Sequence, residues 1–199
     1  MTKTVHIIIA CLDALPPSRI QRLVEVFPFP AKLDLIRLPL PKTAFSKRSG
    51  KWHAEKVLSY LLTGLGHLKH DKHWKTGAHI RKILGVVDID LYFKTPSYLF
   101  GLSELDKDAV ISVHRLKPHF YGEEHDEELF QGRTLKVAAH ELGHAFGLVH
   151  CRTNGCIMTY AKSIDDIDRQ HDEFCNDCKA KLLVKASRAA SKVKLKSRA

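Results

Sequence analysis

The chain has 199 residues, 44% of them hydrophobic, which suits one soluble globular domain with at most a small appendage. Its net charge is +10, but Lys185, Arg188, Lys192, Lys194, Lys196 and Arg198 lie in the last fifteen residues with no acid; take those six away and the remainder carries +4. The body is therefore only mildly basic, and no apolar run is long enough to span a bilayer.

Thr4–Cys11 reads as a buried strand. Its Ile8-Ile9-Ala10-Cys11 loosely resembles a lipoprotein cleavage site. The run is short, however, His6 interrupts it, and Asp13 and Pro16-Pro17 follow, so a strand is preferred to an export signal. Without export the cytoplasm is the default compartment, where cysteines stay reduced. Cys11 itself reads as a small core residue. Ser18–Phe27 reads as a helix with Ser18 as its cap, and Lys32–Leu38 as a second strand closed by Pro39 and Pro41. Trp52–Leu62 reads as a helix with Leu58, Leu61 and Leu62 on one side. His67, His70, His73 and His79 crowd together with Lys69, Lys72 and Lys75, a pattern read as a solvated loop rather than a metal or anion site.

Ile83–Phe93 has strand alternation, with Val87, Ile89 and Leu91 set against Asp88 and Asp90. Those two acids are read as the polar face of the strand rather than a functional pair. Ala109–Leu116 is another strand. Glu123, Glu124, Asp126, Glu127 and Glu128 read as a solvated loop before a helix from Gly132 to about Leu148, whose N-terminus they favour. Strands alternating with helices over the first two-thirds argue an α/β layer structure. Beyond about Val184 the chain is rich in Lys, Ala and Ser, as in a frayed helix or a disordered tail.

The chemistry concentrates in His140-Glu141-Leu142-Gly143-His144-Ala145-Phe146-Gly147-Leu148-Val149-His150. On a helix, positions i and i+4 share a face, so His140 and His144 aim at one point, as a zinc ion requires. Glu141 lies beside them, able to reach a metal-bound water without being a ligand. Gly147 can take the left-handed conformation that ends a helix, so that His150 returns to the metal from outside it. Three ligands leave a fourth position for water, the arrangement of a catalytic zinc. Cys151, Cys156, Cys175 and Cys178 follow, with the spacing of a closed four-thiolate site and hence of a second, structural zinc. Two disulfides or a redox C-x-x-C are the rival readings.

These motifs resemble those of the metzincin metalloproteases, and the cysteines interleaved with the histidines resemble the archaemetzincins in particular. Met158, in Cys156-Ile157-Met158, matches the methionine of the turn beneath the metal in that clan. Gly85-Val86-Val87-Asp88-Ile89-Asp90-Leu91-Tyr92 and the stretch around Phe100-Gly101 also resemble the family, which covers most of residues 1–184 but not the basic tail. The resemblance implies a metzincin-like zincin fold of the α/β (α+β) class, with a mixed twisted sheet, an active-site helix and a small zinc-bound C-terminal subdomain. The expected division is 1–147, an N-terminal subdomain with the active-site helix, then 148–184, the small subdomain, then the tail 185–199. It also implies peptide hydrolysis with Glu141 as general base and no settled physiological substrate. No propeptide with a cysteine switch is evident. Tyr160, two residues past Met158, matches the offset of a tyrosine that stabilises the oxyanion in the astacin branch, with ring packing under the metal as the alternative role. The expected cofactors are two zinc ions, and the expected partner is a peptide or protein, with no membrane partner and nucleic acid disfavoured. Oligomeric state stays open, with a monomer as the working expectation. The competing function is a non-catalytic zinc module whose basic tail binds nucleic acid or an acidic partner. Glu141 and an open metal position would be wasted on such a module, and the tail lacks aromatics for base stacking.

Overall fold

The computed structural model describes residues 4–13, 18–66 and 80–196, so the segment containing His67, His70, His73 and His79 lies outside the described residues. The first strand explains the architecture. In β1 (Val5–Leu12) every residue is buried, because both faces are covered. Val5, Ile7, Ile9 and Cys11 enter one core, and Ile8, Ala10 and Leu12 enter the other. β1 pairs in parallel with β2 (Ala31–Leu38) on one side and β5 (Ile80–Val87) on the other. β9 (Ala109–Ser112) adds in parallel to β5, and β8 (Gly101–Ser103) closes the edge antiparallel, giving the order β2-β1-β5-β9-β8. After a 3-10 turn at Ser18–Arg22, the short α1 (Leu23–Val26) packs with the first core through Leu23. α2 (Ala54–Leu65) covers the second core with Val57, Leu58, Leu61 and Leu65. The long α3 (Glu127–Ala145) covers the first with Leu135, Ala138, Ala139 and Leu142.

A second sheet, in the order β3-β4-β6-β7, is built from β3 (Phe45–Ser46), β4 (Lys51–His53), β6 (Leu91–Phe93) and β7 (Thr95–Leu99). Several boundaries differ from the sequence reading. Trp52 and His53 belong to β4, and α2 starts only at Ala54. Ser18 opens a 3-10 turn rather than an α-helix. The expected strand over 83–93 is two strands in two sheets. Between them Asp90 takes hydrogen bonds of 2.7 Å from both Nε and Nη2 of Arg115, and Asp88 pairs with Lys117. These acids anchor a sharp change of direction rather than forming the polar face of a strand. α3 begins five residues before the expected start, with Asp126 accepting from the Leu129 N–H at 2.9 Å as its cap. Glu127 and Glu128 thus lie in its first turn, where acids suit the helix dipole.

Beyond α3 come α4 (Ile164–Arg169) and α5 (Asn176–Lys196). α5 runs unbroken through position 185, and Ala186 packs against the first core. No helix among the described residues is long and apolar enough to cross a membrane.

Candidate active site

α3 forms the floor of a cleft whose upper rim is the edge strand β8. The helix ends in a hydrogen-bonded reversal: Gly147 N–H donates to the His144 carbonyl at 2.7 Å, and Leu148 N–H to that of Gly143 at 2.9 Å. Gly147 has φ 89°, a left-handed conformation that a residue with a β-carbon adopts only under strain. This reversal carries His150 back toward the helix. The three ring nitrogens meet: His144 Nε2 lies 3.1 Å from His140 Nε2 and 3.3 Å from His150 Nε2. A tetrahedral zinc with bonds of about 2.0–2.1 Å sets its ligand nitrogens about 3.3 Å apart, so the spacing fits such an ion.

The opposite ring atoms fix this aim. His140 Nδ1 bonds the Ile157 carbonyl at 2.8 Å and His144 Nδ1 the Leu148 carbonyl at 2.7 Å, which leaves both Nε2 lone pairs facing the convergence point. Burial holds His140 at about 4, well below the usual histidine range, and also depresses His144 and His150. All three imidazoles are therefore neutral at physiological pH, the form that binds a metal.

Glu141 is buried on the adjoining wall. Burial raises its pKa, while a hydrogen bond from Ser103 and the nearby His144 work in the other direction. Its side chain packs against Gly101 of β8. A β-carbon at Gly101 would come within 2.5 Å of Glu141 Cγ, so the rim strand approaches this closely only with glycine there. Met158 is fully buried beneath α3, with its carbonyl accepting from Cys151 N–H at 2.8 Å. Tyr160 is 62% exposed, and its ring centroid lies 4.9 Å from that of His150. It thus stands at the mouth of the cleft beside the third histidine rather than beneath the site.

The cysteines form a second cluster directly behind His150. Cys151 and Cys175 sulfurs are 3.8 Å apart, and those of Cys156 and Cys178 3.9 Å; all four sulfurs lie within 4.8 Å of one another. A tetrahedral zinc with sulfur bonds of about 2.3 Å sets its sulfurs about 3.8 Å apart, while a disulfide needs about 2.05 Å. Backbone N–H groups of Thr153 and Cys175 point at Cys151 Sγ and Cys156 Sγ, each at 3.4 Å. Burial works to raise the Cys151 thiol, but the bonds from Thr153, Cys175 and Cys178 together outweigh it and bring it to about 7. Among the described residues there are thus two candidate metal-binding clusters, one of three histidines and one of four cysteines.

Around the histidines lies a cavity of about 680 Å³. The sequence reading identified its floor but not its walls. Tyr98 and Phe100 come from the rim side; Ile167, Gln170 and Lys162 come from the segment after Met158. That lower wall is clamped to α3. Arg133, 2% exposed, grips Asp168 through Nε at 2.8 Å and Nη2 at 2.7 Å, and Lys136 Nζ donates to the Ile167 and Asp168 carbonyls at 3.1 and 3.2 Å. Gln170 Nε2 ties the wall to the Thr159 carbonyl at 2.8 Å. The Ser163-x-x-Asp166 capping box was the one sequence signal for this wall.

The layered fold and the donor set together define a metzincin-type zinc metallopeptidase. The sequence model of peptidase family M54 matches residues 13–184, and the chain belongs to that family. The archaemetzincin of Saccharolobus solfataricus is 33% identical over 180 residues, covering 88% of this chain and 92% of that protein. Among solved structures, a zinc-dependent peptidase from Methanocorpusculum labreanum superposes with a TM-score of 0.75 at 30% identity, covering 88% of this chain and 99% of the other. The archaemetzincin of Methanopyrus kandleri gives 0.74 at 29% identity, covering 92% and 96%.

Proposed function

We propose that the chain hydrolyses peptide bonds at His140, His144 and His150, with Glu141 as general base. Support comes above all from three neutral Nε2 atoms at metal-ligand spacing beside a carboxylate that has no ligand duty. A zinc ion held there supplies a Lewis acid that polarises the scissile carbonyl and acidifies water to a pKa of about 7. Glu141, wedged between β8 and the helix, takes the proton of the attacking water and passes it to the departing amine nitrogen. Its burial supports the second half of that task, because a raised carboxyl pKa lets it hold the proton between the two steps. Ser103 orients the carboxylate, and the Ile157 and Leu148 carbonyls orient the imidazoles. Tyr160, at the cleft mouth, donates its hydroxyl to the negative charge developing on the carbonyl oxygen.

The four cysteines hold a second zinc, closed to water, that folds the segment after α3. The substrate is a peptide or protein segment. A reducing, cytoplasmic setting follows from the need to keep four thiols available for metal. The domain division at 147 and 184 belongs to the same reading.

The deciding experiment is a peptide-library digest by zinc-loaded wild type and Glu141→Ala, with metal content measured in both. The variant should keep its zinc and lose at least about 10²-fold in turnover, the usual scale for a general base. Undiminished cleavage by the variant overturns the mechanism, and no cleavage by the loaded wild type overturns the activity.

A further inference from the structure

Resting on the peptidase reading, we infer that Lys162 recognises a carboxylate on the substrate. Among the described residues lining the cavity, Glu141 is the only acid and Lys162 the only lysine or arginine. Glu141 is committed to the reacting bond, which leaves the Lys162 ammonium as the formal charge of the side chains available to the rest of a bound peptide.

The backbone of Lys162 is held from both sides. Its N–H donates to Asp166 Oδ2 at 2.9 Å, and its carbonyl faces the Tyr98 hydroxyl at 3.5 Å. The ammonium stands 5.9 Å from the centroid of the Tyr160 ring, which in turn flanks His150. The lysine therefore overlooks the approach to the three histidines. Among the described residues no carboxylate pairs with this ammonium. Asp166, which holds the Lys162 backbone, gives its other oxygen to Arg169 at 2.6 Å. Lys162 is itself exposed, so a carboxylate brought beside it gains the modest energy of a surface ion pair.

Tyr98 comes from β7 and Lys162 from beyond the methionine turn, so their contact spans the cleft from rim to lower wall. A peptide that follows the floor in this direction meets this contact, and Lys162 beside it. The carboxylate that meets Lys162 has two possible sources: the C-terminus of a peptide that stops at this span, or an Asp or Glu side chain of one that turns away.

The test uses zinc-loaded full-length protein and matched peptides of one sequence: a C-terminal acid, the C-terminal amide, and amides carrying a single Glu at successive positions. KM and kcat are measured for wild type, Lys162→Gln and Lys162→Arg, and calorimetric affinity for the same peptides is measured in Glu141→Ala with and without Lys162→Gln. A carboxylate-bearing peptide should show a KM about fivefold lower than the plain amide, the upper end for an exposed ion pair, with similar kcat. Lys162→Gln should erase the difference and Lys162→Arg should keep it. A preference for the C-terminal acid assigns the chain end, and a preference for one Glu position assigns a side chain; either supports the inference. Equal KM for all peptides, or a preference that survives Lys162→Gln, overturns it. If no peptide is cleaved, the peptidase reading fails, and the calorimetric comparison still decides whether Lys162 discriminates carboxylates.

Discussion

Gly143 and Met158 touch so closely that α3 has no room for a side chain there. A β-carbon on Gly143 would overlap the Met158 sulfur and come within 3.3 Å of Phe174 Cε1. Glycine inside a helix costs about 1 kcal/mol relative to alanine, so this position gives up helix stability for the close approach. Met158 in turn lies in the segment that supplies Ile157, whose carbonyl orients His140.

Gly143→Ala should therefore lower stability by about 1–3 kcal/mol through overpacking, despite the better helix propensity. It should also weaken metal binding at the histidines by displacing the Ile157 carbonyl. A denaturant titration and zinc content after dialysis check both. An alanine variant as stable as wild type with full zinc shows that the methionine turn moves aside freely.

Two metals per chain should be present, with different lability. The histidine cluster opens on the cavity, and the cysteine cluster has four sulfurs and no open position. A mild chelator should remove one zinc, and activity with it, while the circular dichroism spectrum stays unchanged. Removing the second should unfold the segment after Cys151. One zinc per chain by elemental analysis, or disulfides among the four cysteines, contradicts this.

Tyr160→Phe should lower kcat by about 10²-fold with KM nearly unchanged, because the hydroxyl is expected to bond an oxygen whose charge grows in the transition state. The 62% exposure of Tyr160 leaves little packing for the substitution to disturb, so the melting temperature should hold. Wild-type kcat in the variant removes Tyr160 from the reaction.

A chain ending at Val184 should still hydrolyse peptides but melt several degrees lower. The cut passes through α5, exposes the core surface against which Ala186 packs, and removes the Lys185–Asp106 pair at 3.9 Å. That pair is largely exposed and contributes roughly 0–1 kcal/mol at most. Thermal unfolding and a peptide assay on the shortened chain check the two halves. Loss of activity shows that α5 supports the site through the loop that contains Asp106.

The sequence is most legible where one local rule decides the outcome. Consecutive apolar residues in 5–12 could satisfy two cores only as a doubly covered strand, and the i, i+4 histidines followed by Gly147 specify a helix with a reversal. Legibility fails where partners are distant. β3, β4 and β6 are two or three residues long, too short to show a period, and exist because of their neighbours. The apolar alternation continues past Val87, but Arg115 and Lys117 pull Asp90 and Asp88 out of the strand from 25 and 29 residues away. Tyr98 and Lys162, 64 residues apart, wall the cleft without any local pattern that joins them. Arg133 reads as an ordinary helix cation until Asp168 is seen beside it.

The peptide link between His150 and Cys151 also sets an order of events during folding. His140 and His144 come together as soon as one helical turn forms, within microseconds. The third nitrogen is carried by an irregular segment whose place depends on Cys151 meeting Cys175, 24 residues further along the chain. On the proposed ligand assignment, a nascent chain made only as far as His144 would offer a metal two histidines and an incomplete site. On that assignment, competence is reached by the same closure that completes the fold.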